Sequence, residues 1–239
     1  MKKGITRHIP NTITCCNLIS GCIAVVCALY GELHLALLWI VIGAVFDFFD
    51  GMSARLLHVS SPIGKELDSL ADVITFGLAP SMMLFHELYC AEYPFALVAV
   101  KPLVRYLPFV AFTMAAFSAL RLAKFNLDER QTTSFVGLPT PANALFWGSL
   151  LLGLNRQMES CEWAGLLLIA GVFVSNWLLV AEIPMFALKF KHWGWHGNEV
   201  KYVFLLSCIP LLILFKILAL AIIIAWYVAL SVYVNLTKK

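Results

Sequence analysis

Residues 47 to 72 read DFFDGMSARLLHVSSPIGKELDSLAD and place four aspartates in a 239-residue chain that is 61% apolar and only 13% charged. Asp47 and Asp50 stand three apart, Asp68 and Asp72 four apart. Both spacings put a pair of carboxylates on one helical face. Between the pairs Ser60, Ser61 and Pro62 break the chain, and Pro62 suits the first turn of a new helix. A connection this short makes the two helices antiparallel neighbours, so the acidic faces can converge. At 1.5 Å per residue Asp68 would lie roughly 9 Å along its helix and Asp72 roughly 15 Å.

The rest of the chain sets the solvent for these charges. Mean hydropathy is +0.86, too apolar for a water-soluble globule, and apolar runs of about 17 to 25 residues recur from end to end, each long enough to cross a hydrocarbon core of about 30 Å. The expected spans are 11–31, 34–57, 65–88, 103–124, 138–154, 161–181, 201–215 and 217–235. The region of Pro210 and Lys216 could instead kink a re-entrant pair. The first run carries no convincing cleavage site and is expected to stay as a helix. Of 17 lysines and arginines, only Lys101, Arg105, Arg156 and Lys216 fall away from one side of the membrane if the N-terminus is inside. That bias marks the cytoplasmic side. The expected fold is an all-α polytopic transmembrane bundle of about eight helices, one domain over residues 1–239, with both termini and the quoted stretch cytoplasmic. The net charge of +3 is then a topology signature, and no nucleic-acid partner is needed to explain it.

Burying one carboxylate in a bilayer costs about 2.5 to 3.5 kcal/mol on insertion scales, so four unpaired ones cost on the order of 10 kcal/mol. Arg55 and Lys65 offer two compensating charges, and both sit at the rim. Two divalent cations match four carboxylates, and all-oxygen ligation favours Mg²⁺ or Mn²⁺. A proton or divalent-cation transporter could also be built from intramembrane carboxylates. Gly51, Ala54 and Gly64 leave the helices bare near the acidic pairs, and Arg55 can meet phosphate oxygens. A diphosphate held on two metals needs such a cleft; an ion pathway does not.

Asp47, Asp50, Gly51, Ala54, Arg55, Gly64, Asp68 and Asp72 fill the pattern D-x-x-D-G-x-x-A-R, eight residues, G-x-x-x-D-x-x-x-D. This resembles the signature of the CDP-alcohol phosphatidyltransferase family. IPNTITCCNLISG (9–21), DSLADVITFGLAPS (68–81), ALRLAKFN (119–126) and FVGLPTPANA (135–144) resemble its bacterial serine-accepting branch, so the resemblance covers about the first 150 residues. It implies an enzyme of phospholipid biosynthesis in the bacterial cytoplasmic membrane, with its active site facing the cytoplasm. Such an enzyme transfers a phosphatidyl group from CDP-diacylglycerol to the hydroxyl of L-serine and releases CMP, and a homodimer is expected. The same chemistry with glycerol 3-phosphate or an inositol phosphate as acceptor is the alternative; those acceptors would call for an additional basic cluster.

Carried onto this chain, the resemblance implies that Asp47, Asp50, Asp68 and Asp72 hold the metals, with Asp72 as general base. Gly51, Ala54, Arg55 and Gly64 would border the CDP moiety. Asn11, Thr14 and Asn17 are candidates for closing the nucleotide cleft, against helix-end capping by Asn11 or Thr12. Lys65 is a phosphate contact or an interface anchor. Arg121 and Lys124 suit the acceptor carboxylate or substrate phosphates, or else positive-inside anchoring. Asn126, Thr140 and Asn143 complete the expected acceptor side.

Other residues receive plainer readings. The seven cysteines show no metal-ligand spacing and read as small core residues. A Cys90–Cys161 disulfide stays open. His58 is an interfacial histidine, the sequon at Asn235 is chance, and Trp193, Trp195 and His196 form an interfacial loop.

Overall fold

Helix ends explain much of the architecture of the computed structural model, which describes residues 8–59, 61–94, 101–127, 135–185, 194 and 198–237. Helix α1 (Ile9–Leu29) ends at Gly31, whose φ of 78° lets the Glu32 amide donate to the Cys27 carbonyl at 2.9 Å. Helix α2 (Leu33–Leu56) ends in the same wrapped motif, with the Val59 amide donating to Ala54 O at 3.0 Å. Here the left-handed residue is His58, at φ 51°, where glycine is the usual occupant.

Helix α3 runs from Pro62 to Cys90. Pro62 opens it, as the sequence predicts, and the Ser61 hydroxyl caps it by accepting from the Gly64 amide at 3.0 Å. It is regular only to Asp72; Val73–Leu78 form a π-helical turn, and Ala79–Cys90 resume the α form. Helix α4 (Leu107–Leu127) opens with a 3-10 turn, and α5 (Thr140–Glu159) and α6 (Ala164–Val180) follow.

The all-helical expectation needs one small correction. Strands β1 (Phe135–Val136) and β2 (Pro184–Met185) pair antiparallel. They bring the segment before α5 under the end of α6, where Leu138 N donates to Leu178 O at 3.0 Å. Gly137 makes that passage possible: at φ 74°, a Cβ there would stand 3.0 Å from the Leu179 and Ala181 carbonyl oxygens.

The last apolar stretch, Glu199–Thr237, has 39 residues, roughly 58 Å if straight and nearly twice a hydrocarbon core. It folds back instead. Lys216, at φ 50°, starts a 3-10 turn between α7 (Glu199–Phe215) and α8 (Ala219–Thr237). Trp226 Nε1 donates to Ser207 Oγ at 3.1 Å across this hairpin, and the Phe204 and Tyr227 rings meet at 5.8 Å. Asn235 Nδ2 donates to Pro184 O at 2.6 Å, tying the end of α8 to β2.

Among the described residues, five stretches are long and apolar enough to cross a membrane: α1, α2, α3, α4 and Glu199–Thr237. The protein is a helical membrane protein. The sequence predicts eight crossings; α6 is apolar but, at 17 residues, shorter than those five. Ala24, Ile40, Phe76, Met83, Met114 and Trp147 meet in the core that joins α1 to α5. All seven cysteines are free thiols, including Cys90 and Cys161. Trp193, Trp195 and His196 lie outside the described residues.

Candidate active site

The antiparallel packing of α2 and α3 brings one carboxylate oxygen each of Asp47, Asp50 and Asp68 within 4.8 Å of one another. Asp50 Oδ2 and Asp68 Oδ1 are buried and accept no hydrogen bond. A buried carboxylate oxygen without a donor is costly, and three like charges at this separation repel. A hard divalent cation relieves both, and oxygen is the donor it prefers. The residues fit a Mg²⁺- or Mn²⁺-type ion, and neither histidine nor cysteine enters the group.

Asp72 stands outside that group. It is 7% exposed and accepts a hydrogen bond from Asn17 Nδ2 at 3.2 Å. The sequence places Asn17 at the nucleotide cleft, whereas its observed partner is Asp72. The π turn after Asp72 turns Thr75 onto α1, where its hydroxyl donates to Asn17 O at 3.0 Å. Two glycines admit Thr75. A Cβ at Gly21 would lie 2.8 Å from Thr75 Cα, and one at Gly43 would lie 2.5 Å from Thr75 Cγ2. Small residues allow this close approach between membrane helices. Thr75, Gly21 and Gly43 carry no charge and belong to no ligand motif, so sequence reasoning missed them; the glycines in α1 and α2 were the available signal.

Beside the acidic group lies a cavity of about 270 Å³, lined by Asn11, Thr14, Gly51, Ala54, Gly64 and Lys65 together with Asp50 and Asp68. Gly64 is bare for a steric reason: a Cβ there would stand 3.0 Å from Asn11 Oδ1 and from Ser61 Oγ. At Gly51 a Cβ would make only ordinary contact, 3.7 Å from Arg55 Nη2. Arg55 is exposed beside it. The capping alternative for Asn11 and Thr12 is not what forms. No side chain caps α1, and Thr12 donates to His8 O at 3.0 Å, as Thr14 does to Pro10 O at 3.1 Å.

The candidates on α4 divide. Arg121 is buried and its Nε has no partner. Lys124 is exposed. Asn126 is already engaged, since Lys65 Nζ donates to its carbonyl at 2.8 Å and its Nδ2 donates to Ser69 Oγ at 2.8 Å. These two bonds clip the start of α3 to the end of α4. On α5, Thr140 is fully buried with Oγ1 unpartnered. Asn143, one turn along α5 from Thr140, lines a second, apolar cavity between α5, α6 and α8. His58 is exposed and serves the end of α2.

Comparison with known proteins covers the segment that holds this site. The family model described as CDP-alcohol phosphatidyltransferase matches residues 7–185. A Bacillus subtilis protein named CDP-diacylglycerol–serine O-phosphatidyltransferase is 37% identical over 197 residues, covering 81% of this chain and 95% of that protein. A Mycobacterium tuberculosis protein of the same name is 31% identical over 198 residues, 77% of this chain and 63% of that one. For a Helicobacter pylori namesake the values are 33% over 138 residues, 57% and 54%. The chain thus spans less than two thirds of the length of these last two relatives. With three quarters of its length matched by the family model, the chain belongs to the CDP-alcohol phosphatidyltransferase family.

Proposed function

We propose that this protein is a phosphatidylserine synthase, transferring the phosphatidyl group of CDP-diacylglycerol to the hydroxyl of L-serine and releasing CMP. The observation that carries the reading is the meeting of three carboxylates, two with orphaned oxygens, beside a cavity walled by Gly51, Ala54 and Gly64. The names of the relatives supply serine as the acceptor. The site faces the cytoplasm of a bacterial inner membrane in this reading, in a bundle of about eight crossings with both termini inside, and the protein works as a homodimer.

Asp47, Asp50, Asp68 and Asp72 hold two divalent cations, Mg²⁺ or Mn²⁺, which when bound supply charge neutralisation at the diphosphate and Lewis acidity at the transferred phosphorus. Gly51, Ala54 and Gly64 let the CDP moiety lie close against α2 and α3, with Asn11 and Thr14 closing the cleft from α1. Arg55 and Lys65 meet phosphate oxygens at the rim. Asp72 accepts the serine hydroxyl proton as that oxygen attacks phosphorus, and Asn17 holds its carboxylate. Arg121 pairs with the serine carboxylate, with Lys124, Asn126 and Thr140 on the same side. Attack is direct and in line, without a phosphatidyl-enzyme; retention of configuration at a chirally labelled phosphorus would contradict that step.

An acceptor panel tests the assignment. Purified protein with CDP-diacylglycerol and Mn²⁺ or Mg²⁺ is expected to release CMP with L-serine and to leave glycerol 3-phosphate and inositol phosphate unused. Release with either phosphorylated acceptor instead would keep the chemistry and overturn serine.

A further inference from the structure

The cavity between α5, α6 and α8 has a volume of about 650 Å³ and walls that are almost wholly apolar. Its lining on α5 runs from Asn143 to Met158, roughly 22 Å at 1.5 Å per residue. One leaflet of a bilayer needs about 15 Å for its tails.

One end of this groove is polar, and its polarity is fixed by a chain of hydrogen bonds. Trp147 Nε1 donates to Ser175 Oγ at 3.0 Å. An indole N–H can only donate, so Ser175 accepts there, and its own hydroxyl donates to Asn143 Oδ1 at 2.5 Å. With Oδ1 as the acceptor of that bond, the remaining group of Asn143 is the amide NH₂. Asn143 is fully buried, and its Nδ2 has no partner. A buried donor at the end of an apolar groove calls for a neutral acceptor, such as a carbonyl oxygen, attached to hydrocarbon.

The depth fits a diacylglycerol. Gly148 of α5 packs against Leu37 and Met83, which levels the two helices. Counted from there at 1.5 Å per residue, Asn143 stands on the order of 10 Å further along the bundle than Asp72, towards Cys90. Phosphorus at the aspartates would leave the glycerol esters to reach in that direction.

We propose that this groove holds one acyl chain of the CDP-diacylglycerol donor, with Asn143 donating through Nδ2 to that chain's ester carbonyl. The proposal rests on the phosphatidyl-transfer reading above. It makes Asn143 a residue of the lipid site instead of the acceptor site.

The test compares serine-dependent CMP release from CDP-dipalmitoylglycerol and from its dialkyl ether analogue, which lacks the carbonyl. The wild-type protein is expected to favour the ester in kcat/KM by about threefold to tenfold, the range of one neutral hydrogen bond. Asn143→Leu is expected to bring that ratio near one. An unchanged ratio in the variant would overturn the assignment. A second variant guards against misfolding: Ala225→Trp, on the α8 wall of the groove, is expected to raise KM for the dipalmitoyl donor about tenfold more than for the dihexanoyl donor. Equal changes for both donors would contradict the groove. If native mass spectrometry shows that Ala225→Trp loses a co-purifying phospholipid while donor kinetics stay as in the wild type, the occupant is a bilayer lipid and the donor assignment is wrong. Absence of CMP release from either donor by the wild-type protein would defeat the transfer reading itself, a result distinct from a flat ester-to-ether ratio.

Discussion

Helix α3 and the α7–α8 hairpin are opposite solutions to life in a bilayer. The hairpin stretch reaches a mean hydropathy of 2.8 with 11% of its most apolar part buried, while α3 reaches 1.3 with 56% buried. The more apolar element is the less buried one. Lipid tails are as apolar as leucine, so Ile213 and Leu214, at 73% and 72% exposure, lose nothing by facing them. Inside, α3 keeps polar and small residues beside large apolar ones: Ala71, Thr75 and Ser81 are as fully buried as Phe76, Met83 and Leu84. Backbones that approach closely and polar groups that find partners hold such helices together. High hydropathy therefore marks the lipid-facing rim, and the polar exceptions mark where the chemistry sits.

Variants on the two sides of this contrast should differ in kind. The largest expected effect is on catalysis. Asp72→Asn should lower kcat by about 10²- to 10⁴-fold, the range of a lost general base, with CMP release as the readout. Asp68→Ala should weaken apparent Mn²⁺ affinity in metal titrations by more than the 10- to 100-fold typical of an outer-shell partner. In α2, Gly43→Val pushes branched carbon into Thr75 and should cost about 1 to 3 kcal/mol, read as a lowered unfolding temperature in detergent. At the hairpin, Ile213→Ala should change the same temperature by an amount equivalent to less than about 0.5 kcal/mol. If Ile213→Ala proved as damaging as Gly43→Val, the contrast between rim and core would fail. Small and opposite in sign, His58→Gly should stabilise by about 1 kcal/mol by relieving the left-handed backbone at the end of α2.

The acidic site was legible in the sequence because its logic is local. Spacings of three and four residues place aspartates on faces, and Ser61 with Pro62 announces the start of α3. The wall residues Gly51, Ala54 and Gly64 fall in the same signature. What escaped was long-range. Helical periodicity says which face a residue occupies but not which helix will meet it, so Gly21 and Gly43 signalled a close approach without naming Thr75 as the residue that makes it. The π turn at Val73–Leu78 has Pro80 just after it, but a proline marks a disturbed helix without saying that the chain runs on through a π turn. Asn143 and Arg121 looked alike as polar residues near conspicuous motifs, and only the partners of Asn143 on α5 and α6 separate them. The turn at Lys216 was half visible: a lysine amid apolar residues suggested a break, and the Trp226–Ser207 bond shows the helices pairing across it.

The acidic group can be tested as the transfer centre in a single assay. Serine-dependent CMP release from CDP-diacylglycerol would be followed in Mn²⁺, after chelation and after Mn²⁺ is restored, with Asp50→Asn run alongside. The expected result is release that stops on chelation, returns with the metal and is absent in Asp50→Asn. Release that persists through chelation, or survives in the variant, would mean that the three converging carboxylates are not where the phosphatidyl group is transferred.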